Sequence, residues 1–179
     1  AVFNGLGGLS SMLVAWSALY PELEKLSNTQ TFFYSTSTHI LMATILLSIF
    51  IGGVTFTGSL VAYGKLSEFI SGRAILFRGQ RFINFALLLG ILIFSFKFSF
   101  EPSLYSLDFI CVLTISLLLG VMLVIPIGGA DMPVVISLLN SYSGLAACAT
   151  GFVLNNNLLI VAGALVGASG IILTNIMCK

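Results

Sequence analysis

The sequence predicts an all-α membrane protein, a bundle of about six transmembrane helices with no soluble domain. Of its 179 residues, 58% are hydrophobic and only 7% are charged, and the mean hydropathy is +1.13. A soluble domain carries about 25% charged residues, so this chain could not cover its surface with charge in water. The apolar residues also form six segments, each long enough to cross about 30 Å of hydrocarbon as a helix.

The same composition excludes several classes of protein. Seven basic and six acidic residues give a net charge of +1, which excludes a basic nucleic-acid binder, and so much apolar surface excludes a soluble enzyme or a disordered linker. Three widely spaced cysteines do not make a disulfide scaffold. The apolar runs lack the alternation of a membrane β-barrel, so the segments are helices.

Polar and turn-forming stretches separate the predicted helices. A polar stretch at 21–37 follows the first helix, and a charged stretch at 64–81 follows the second. Glu101-Pro102, a glycine-rich stretch at 128–133 and three asparagines at 155–157 mark the remaining turns. The predicted helices lie near 2–20, 38–63, 82–100, 108–127, 133–153 and 158–178.

The charge of the connections predicts the orientation. The connection 64–81 carries four basic residues and one acidic residue, a balance of +3, so the positive-inside rule places it on the cytoplasmic or mitochondrial matrix side. Six crossings then place Ala1, the connection 128–133 and Lys179 on that same side. Because the chain starts without Met and ends directly after an apolar helix, we expect it to be a fragment of a larger polypeptide.

Two groups of polar residues on the second helix are candidates for function. His39 is the only histidine, and imidazole titrates near neutral pH, so it can carry a proton; it can equally be a residue at the helix mouth wetted by headgroup water. A narrow stripe follows on one face, which predicts either close helix packing or the wall of a hydrated path. The stripe consists of Ser48, Gly52, Thr55 and Ser59.

The fifth helix carries a more pointed pattern. Ser137, Asn140, Ser141, Gly144 and Cys148 share one side. A mid-membrane amide must find hydrogen-bond partners, because leaving it unpaired costs several kcal/mol. Asn140 is therefore either part of a structural clamp or a residue of a proton or ion path.

Two further features concern the fifth and sixth helices. Asp131, in Gly-Gly-Ala-Asp-Met-Pro, either caps the fifth helix or is a titratable or docking group for a soluble partner on the inner side. Gly163, Gly167 and Gly170 predict close packing of the sixth helix. There is no phosphate-binding loop, HExxH motif or cysteine pair with metal spacing, so we expect no catalytic, cofactor-binding or metal site in this chain.

Three long stretches of the chain are recognisable. They are IGGVTFTGSLVAYGK at 51–65, IGGADMPVV at 127–135 with LNSYSG at 139–144, and NNNLL at 155–159 with GALVGASG at 163–170 and IMC at 176–178. They resemble the proton-translocating NAD(P) transhydrogenases, in the beta-subunit-type part of their membrane domain. AVFNGLGGL at 1–9 resembles the start of a helix in the mitochondrial-type form.

The resemblance implies a function for the membrane helices. In this family, hydride passes between NAD(H) and NADP(H) bound on separate soluble domains, and the membrane domain of the homodimeric enzyme couples this transfer to proton translocation. The NADP(H) domain would follow Lys179. The membrane would be the bacterial cytoplasmic membrane or the mitochondrial inner membrane, and the partners would be these domains, further transmembrane helices and lipid.

The resemblance also implies roles for particular residues. Asp131 and Asn140 match family positions linked to proton coupling. The bacterial form has a proton-path histidine on the second helix, which ungapped counting places at Leu41, two residues beyond His39. We expect a gated path between the second, fifth and sixth helices, with Asp131 coupling it to the NADP(H) domain. The expected proton-path residues are His39, Asn140, Ser137, Ser141 and Thr55.

Two other classes of function remain open on the residues alone. A secondary transporter or channel would place its site near the bilayer midplane beside broken helices. A purely structural membrane anchor would need only the stripes of small residues.

Overall fold

The structure, a computed structural model, describes residues 1–28, 36–100 and 107–178. In these ranges the chain forms six α-helices and no strand, and each helix is long and apolar enough to cross a membrane. The predicted all-α membrane fold is therefore confirmed. The helices are α1 (Val2–Asn28), α2 (Thr36–Leu66), α3 (Gln80–Phe100), α4 (Leu107–Val124), α5 (Met132–Val153) and α6 (Asn157–Met177).

Three helix ends differ from the sequence prediction for identifiable reasons. α2 continues to Leu66 rather than 63, because Gly64 and Lys65 are buried in the bundle. α1 continues through Pro21, because Leu23 beyond it is buried in the main apolar cluster, and membrane helices tolerate proline where packing compensates. α4 stops at Val124 rather than near 127. Pro126 disfavours helical geometry at the residue before it, and a short 3₁₀ turn, Gly129–Asp131, then leads into α5.

The long helix α2 is the centre of the bundle, with α1, α4 and α5 packed around it. Small residues allow its backbone to approach two of these neighbours. A Cβ built on Gly52 would lie 2.6 Å from the carbonyl oxygen of Gly8 in α1, and one built on Gly53 would lie 2.5 Å from Ser116 Oγ in α4. Thr57 Oγ1 also donates to the carbonyl of Leu117, 2.7 Å away.

The outer layer consists of α3 on α4 and α6 on α5. Both outer helices expose rows of large apolar side chains, among them Phe82, Phe85, Leu165 and Ile172. Such rows suit contact with hydrocarbon or with other membrane helices.

Contacts between the connections fix which helix ends lie together. Gly129 N donates to Gly72 O over 2.8 Å, joining the α4–α5 connection to the α2–α3 connection. Asn4 near the start of α1 bonds Ile136 near the start of α5, and Gly170 near the end of α6 bonds Ser137. Following the predicted orientation, we call this end of the bundle the inner end and the opposite end the outer end.

Candidate functional site

The serine face of α5 packs against α6. Ser141 Oγ donates to Gly167 O over 2.6 Å, and Ser137 Oγ donates to Gly170 O over 3.2 Å. A Cβ on Gly144 would lie 2.4 Å from the nitrogen of Gly167. The close packing predicted for the glycines of α6 is thus confirmed, and both serine hydroxyls have backbone acceptors.

Asn140 lies between this face and the side of α5 that meets α1. On the α1 side, Asn4 Nδ2 donates to Ile136 O over 3.1 Å, and a Cβ on Gly7 would lie 2.5 Å from Ser143 Oγ. Ile136 and Ser143 are one turn before and one turn after Asn140, so α1 borders the asparagine directly.

The Asn140 amide is half-buried and, in the part of the chain that the structure describes, no hydrogen bond joins it to another group. Asn4 borders the same position from α1 and was missed by the sequence analysis. The available signal was a polar amide in the first apolar segment, within Phe-Asn-Gly-Leu-Gly-Gly. The amide of Asn4 in α1 and the amide of Asn140 in α5 therefore lie in the same region of the contact between these two helices.

The predicted stripe of α2 faces α1. Thr55 is fully buried against Gly8 of α1, and its Oγ1 donates to Ile51 O of its own helix over 2.7 Å. Ser48 Oγ lies 2.8 Å from Thr150 Oγ1 of α5. Of the two interpretations of the stripe, these contacts favour helix packing.

Ser59 differs from the rest of the stripe. Its Oγ is buried and, among the described residues, has no hydrogen-bond partner. A Cβ on Gly5, next to Asn4, would lie 3.1 Å from Ser59 Cβ. Leu139 Cδ2 would lie equally close, 3.1 Å, to a Cβ on neighbouring Gly58. Ser59, Asn4 and Asn140 therefore lie at about the same depth, where α1, α2 and α5 meet; we call these three residues the polar junction.

His39 lies far from this junction. It is half-buried near the start of α2, with Nδ1 3.5 Å from Ser99 Oγ near the end of α3. Nineteen residues of α2 separate it from Gly58, which is level with Leu139. At 1.5 Å per residue this is about 28 Å, nearly the thickness of the hydrocarbon core. The structure does not bring His39 and Asn140 together.

The structure also changes which helices border the region of the expected proton path. α6 packs against α5 on the Ser137 and Ser141 side, whereas α2 meets α5 through Leu139 and Thr150 on the other side. In the described residues, α5 therefore stands between α2 and α6. The third helix at the junction is α1.

Asp131 lies at the inner end, exposed, in the N-cap position of α5. It therefore has the position of a cap, but its side chain makes no capping hydrogen bond. Its carboxylate is accessible to a partner on the inner side.

Comparisons with known proteins agree with the sequence resemblance. A family model for the NAD(P) transhydrogenase beta subunit matches residues 1–179. The NAD(P) transhydrogenase subunit beta of Rhodospirillum rubrum is 42% identical over 180 residues, which cover 100% of this chain and 37% of that protein. The same protein from a named strain of this species gives the same values.

The chain belongs to the NAD(P) transhydrogenase beta-subunit family. It spans 37% of the length of the curated relatives it matches. Six apolar helices in a transhydrogenase beta-subunit chain make it an integral membrane protein. The polar junction and Asp131 are thus features of the membrane-spanning part of a transhydrogenase subunit.

Proposed function

We propose that this chain is the proton-conducting membrane domain of a proton-translocating NAD(P) transhydrogenase. It couples H⁺ movement to hydride transfer between NAD(H) and NADP(H), which are bound on separate soluble domains of the same enzyme. The observation that carries the proposal is the polar junction, in which amides and a buried hydroxyl with unused hydrogen-bonding capacity lie inside a transhydrogenase membrane bundle.

The chemistry of the junction suits a neutral relay. Polar groups in the hydrocarbon region need partners, and water is the natural partner where Asn140 and Ser59 have none among the described residues. Amides and hydroxyls can orient water molecules without adding charge, so a proton meets no fixed positive group along this part of the path. Asn140 is only half-buried, and in this proposal water reaches it from its exposed side.

The remaining predicted residues take supporting places in this proposal. Thr55, Ser137 and Ser141 donate their hydroxyl hydrogens to backbone carbonyls in buried helix contacts, so they would fix the packed faces of α2 and α5 beside the path. His39 lies near the outer end, where it would exchange protons with the outer aqueous phase.

Asp131 would link the path to the NADP(H)-binding domain. Its exposed carboxylate at the inner end would contact that domain, so proton occupancy and nucleotide binding shift each other reciprocally. The other proposed partners are the NAD(H)-binding domain, further transmembrane helices, lipid and a second copy in a homodimer. Nicotinamide nucleotides are the cofactors of the whole enzyme.

The test is proton uptake driven by nicotinamide nucleotides in liposomes that contain the assembled enzyme. We expect Asn140→Leu to lower proton-coupled turnover at least tenfold, because leucine cannot hold water. The matched control is Asn175→Leu, the same change at an exposed asparagine of α6, which should keep turnover within twofold of wild type.

Other results would contradict the proposal. Unchanged coupling in Asn140→Leu would make Asn140 a packing residue. Substrate-driven currents without nucleotide would indicate a transporter or channel, and no response in either assay would indicate a structural anchor.

A further inference from the structure

Lys65 is a buried cation that the proposed proton path does not use. It lies in the last turn of α2 at the inner end and is only 2% exposed. The sequence places it among the exposed basic residues of a connection, but its side chain is enclosed. In the described part of the chain, no ion pair joins it to a carboxylate.

Three backbone carbonyls accept hydrogen bonds from its ammonium. Nζ donates to Ile127 O over 2.7 Å, to Ile125 O, and to Arg73 O over 3.4 Å. Ile125 and Ile127 lie in the turn that follows α4, at the partially negative C-terminal end of that helix. Three ammonium donors therefore meet three acceptors beside the end of a neighbouring helix.

These bonds tie together the two inner connections. Ile125 and Ile127 belong to the α4–α5 connection, which leads within four residues to Asp131, whereas Arg73 belongs to the α2–α3 connection. The backbone adds two more ties, Gly129 N to Gly72 O over 2.8 Å and Ile75 N to Ile125 O over 3.4 Å. Lys65 sits where both connections meet the membrane helices.

We propose that Lys65 is a positioning residue for Asp131. Its ammonium holds the α4–α5 connection against the α2–α3 connection, so that the two form one rigid inner platform on which the NADP(H)-binding domain docks. The identity of the docking domain rests on the proposed function, whereas the hydrogen bonds by which Lys65 joins the two connections are independent of it.

The experiment compares the wild-type holoenzyme with Lys65→Met. Hydrogen exchange is measured by mass spectrometry for peptides that contain residues 125–131, and KM is measured for each nucleotide. We expect exchange there to rise at least tenfold and KM for NADP(H) to rise at least fivefold. KM for NAD(H) should stay within twofold, because the other soluble domain does not use Asp131.

Two further variants separate positioning from a general loss of stability. Lys97→Met removes an exposed lysine at the outer end, where it pairs with Asp108, and should leave all three values within twofold. In the second, a disulfide between cysteines at positions 72 and 129 replaces the lost tie. The substitutions are Gly72→Cys and Gly129→Cys, at the point where the two backbones touch: Gly129 N donates to Gly72 O over 2.8 Å, and a Cβ on Gly129 would lie 3.5 Å from Gly72 Cα. In the Lys65→Met background, closing this disulfide by mild oxidation should restore the exchange rate and the KM for NADP(H).

Three outcomes would overturn the proposal. They are unchanged exchange in Lys65→Met, faster exchange without a selective rise in KM for NADP(H), and no rescue by the closed disulfide. Hydrogen exchange is measured without turnover, so that result stands even if nucleotide-driven proton uptake, the test of the proposed function, fails.

Discussion

Polar side chains in this bundle differ in whether a neighbouring backbone satisfies them. Thr57 and Ser141 donate to carbonyls of neighbouring helices at distances of 2.7 and 2.6 Å, and Ser48 contacts a threonine hydroxyl at 2.8 Å. Asn140 and Ser59 are left with unused capacity within the described residues. The first group stabilises helix contacts, and the second supports the proposed function.

The contact between Ser48 and Thr150 gives a prediction about stability. Either hydroxyl can be the donor in this contact, since Ser48 Oγ also lies 3.3 Å from its acceptor Ser11 O and Thr150 Oγ1 lies 2.9 Å from its acceptor Ala146 O. Thr150→Val keeps the shape and removes the hydroxyl contact, and it should lower the free energy of unfolding by about 1 kcal/mol. Unfolding of Ser48→Ala, Thr150→Val and the double variant in detergent measures the coupling between them. Fully additive effects would show that this hydrogen bond contributes nothing.

At the scale of the helix, α5 has one small-residue face and one larger apolar face. Glycines allow its backbone to touch that of α6, while Leu139 and Val135 pack with α2 and α4 in the inner apolar cluster. Dispersion between close backbones is a main source of helix association in lipid, where no hydrophobic effect drives it. The glycine contact therefore holds α6, which has little other packing.

A matched pair of substitutions tests this contact. In Gly144→Ala the new Cβ would lie 2.4 Å from Gly167 N and 2.8 Å from Gly163 O, so the helices must separate. We expect a loss of about 1–3 kcal/mol. In Gly90→Ala the nearest atom is Ile115 Cδ1 at 3.5 Å, an ordinary contact, and the gain in helix propensity should leave stability equal or slightly higher. Equal melting temperatures for the two variants would contradict the account.

For the molecule as a whole, local sequence patterns predict where each helix lies in the chain better than they predict which helices pack together. Length and hydropathy were enough for the six spans, and small-residue spacing was enough for the tight faces of α2 and α6. Which helix faces which is set by contacts distant in the sequence. Local patterns therefore placed Asn140 between α2 and α6 and gave no sign that Asn4 lies beside it. Asn4 bonds Ile136, which lies 132 residues further along the chain.

Lys65 shows the same limit for charge. A lysine beside a basic connection is predicted to be exposed. Only the structure shows that the carbonyl groups of Ile125 and Ile127 accept hydrogen bonds from its ammonium. The match of Asp131 to a coupling position came from the family resemblance. The structure adds that the Asp131 side chain makes no capping hydrogen bond.

The central claim is that water reaches the polar junction and that nucleotide binding controls its access. The most direct measurement is the reaction rate of Asn140→Cys with a small, water-soluble thiol reagent, in the assembled enzyme with its native cysteines replaced. Leu145→Cys, at an exposed apolar position of the same helix, is the reference. We predict that the cysteine at 140 reacts at least tenfold faster and that NADP(H) changes its rate. A cysteine at 140 that reacts no faster than the one at 145, with or without nucleotide, would contradict the account.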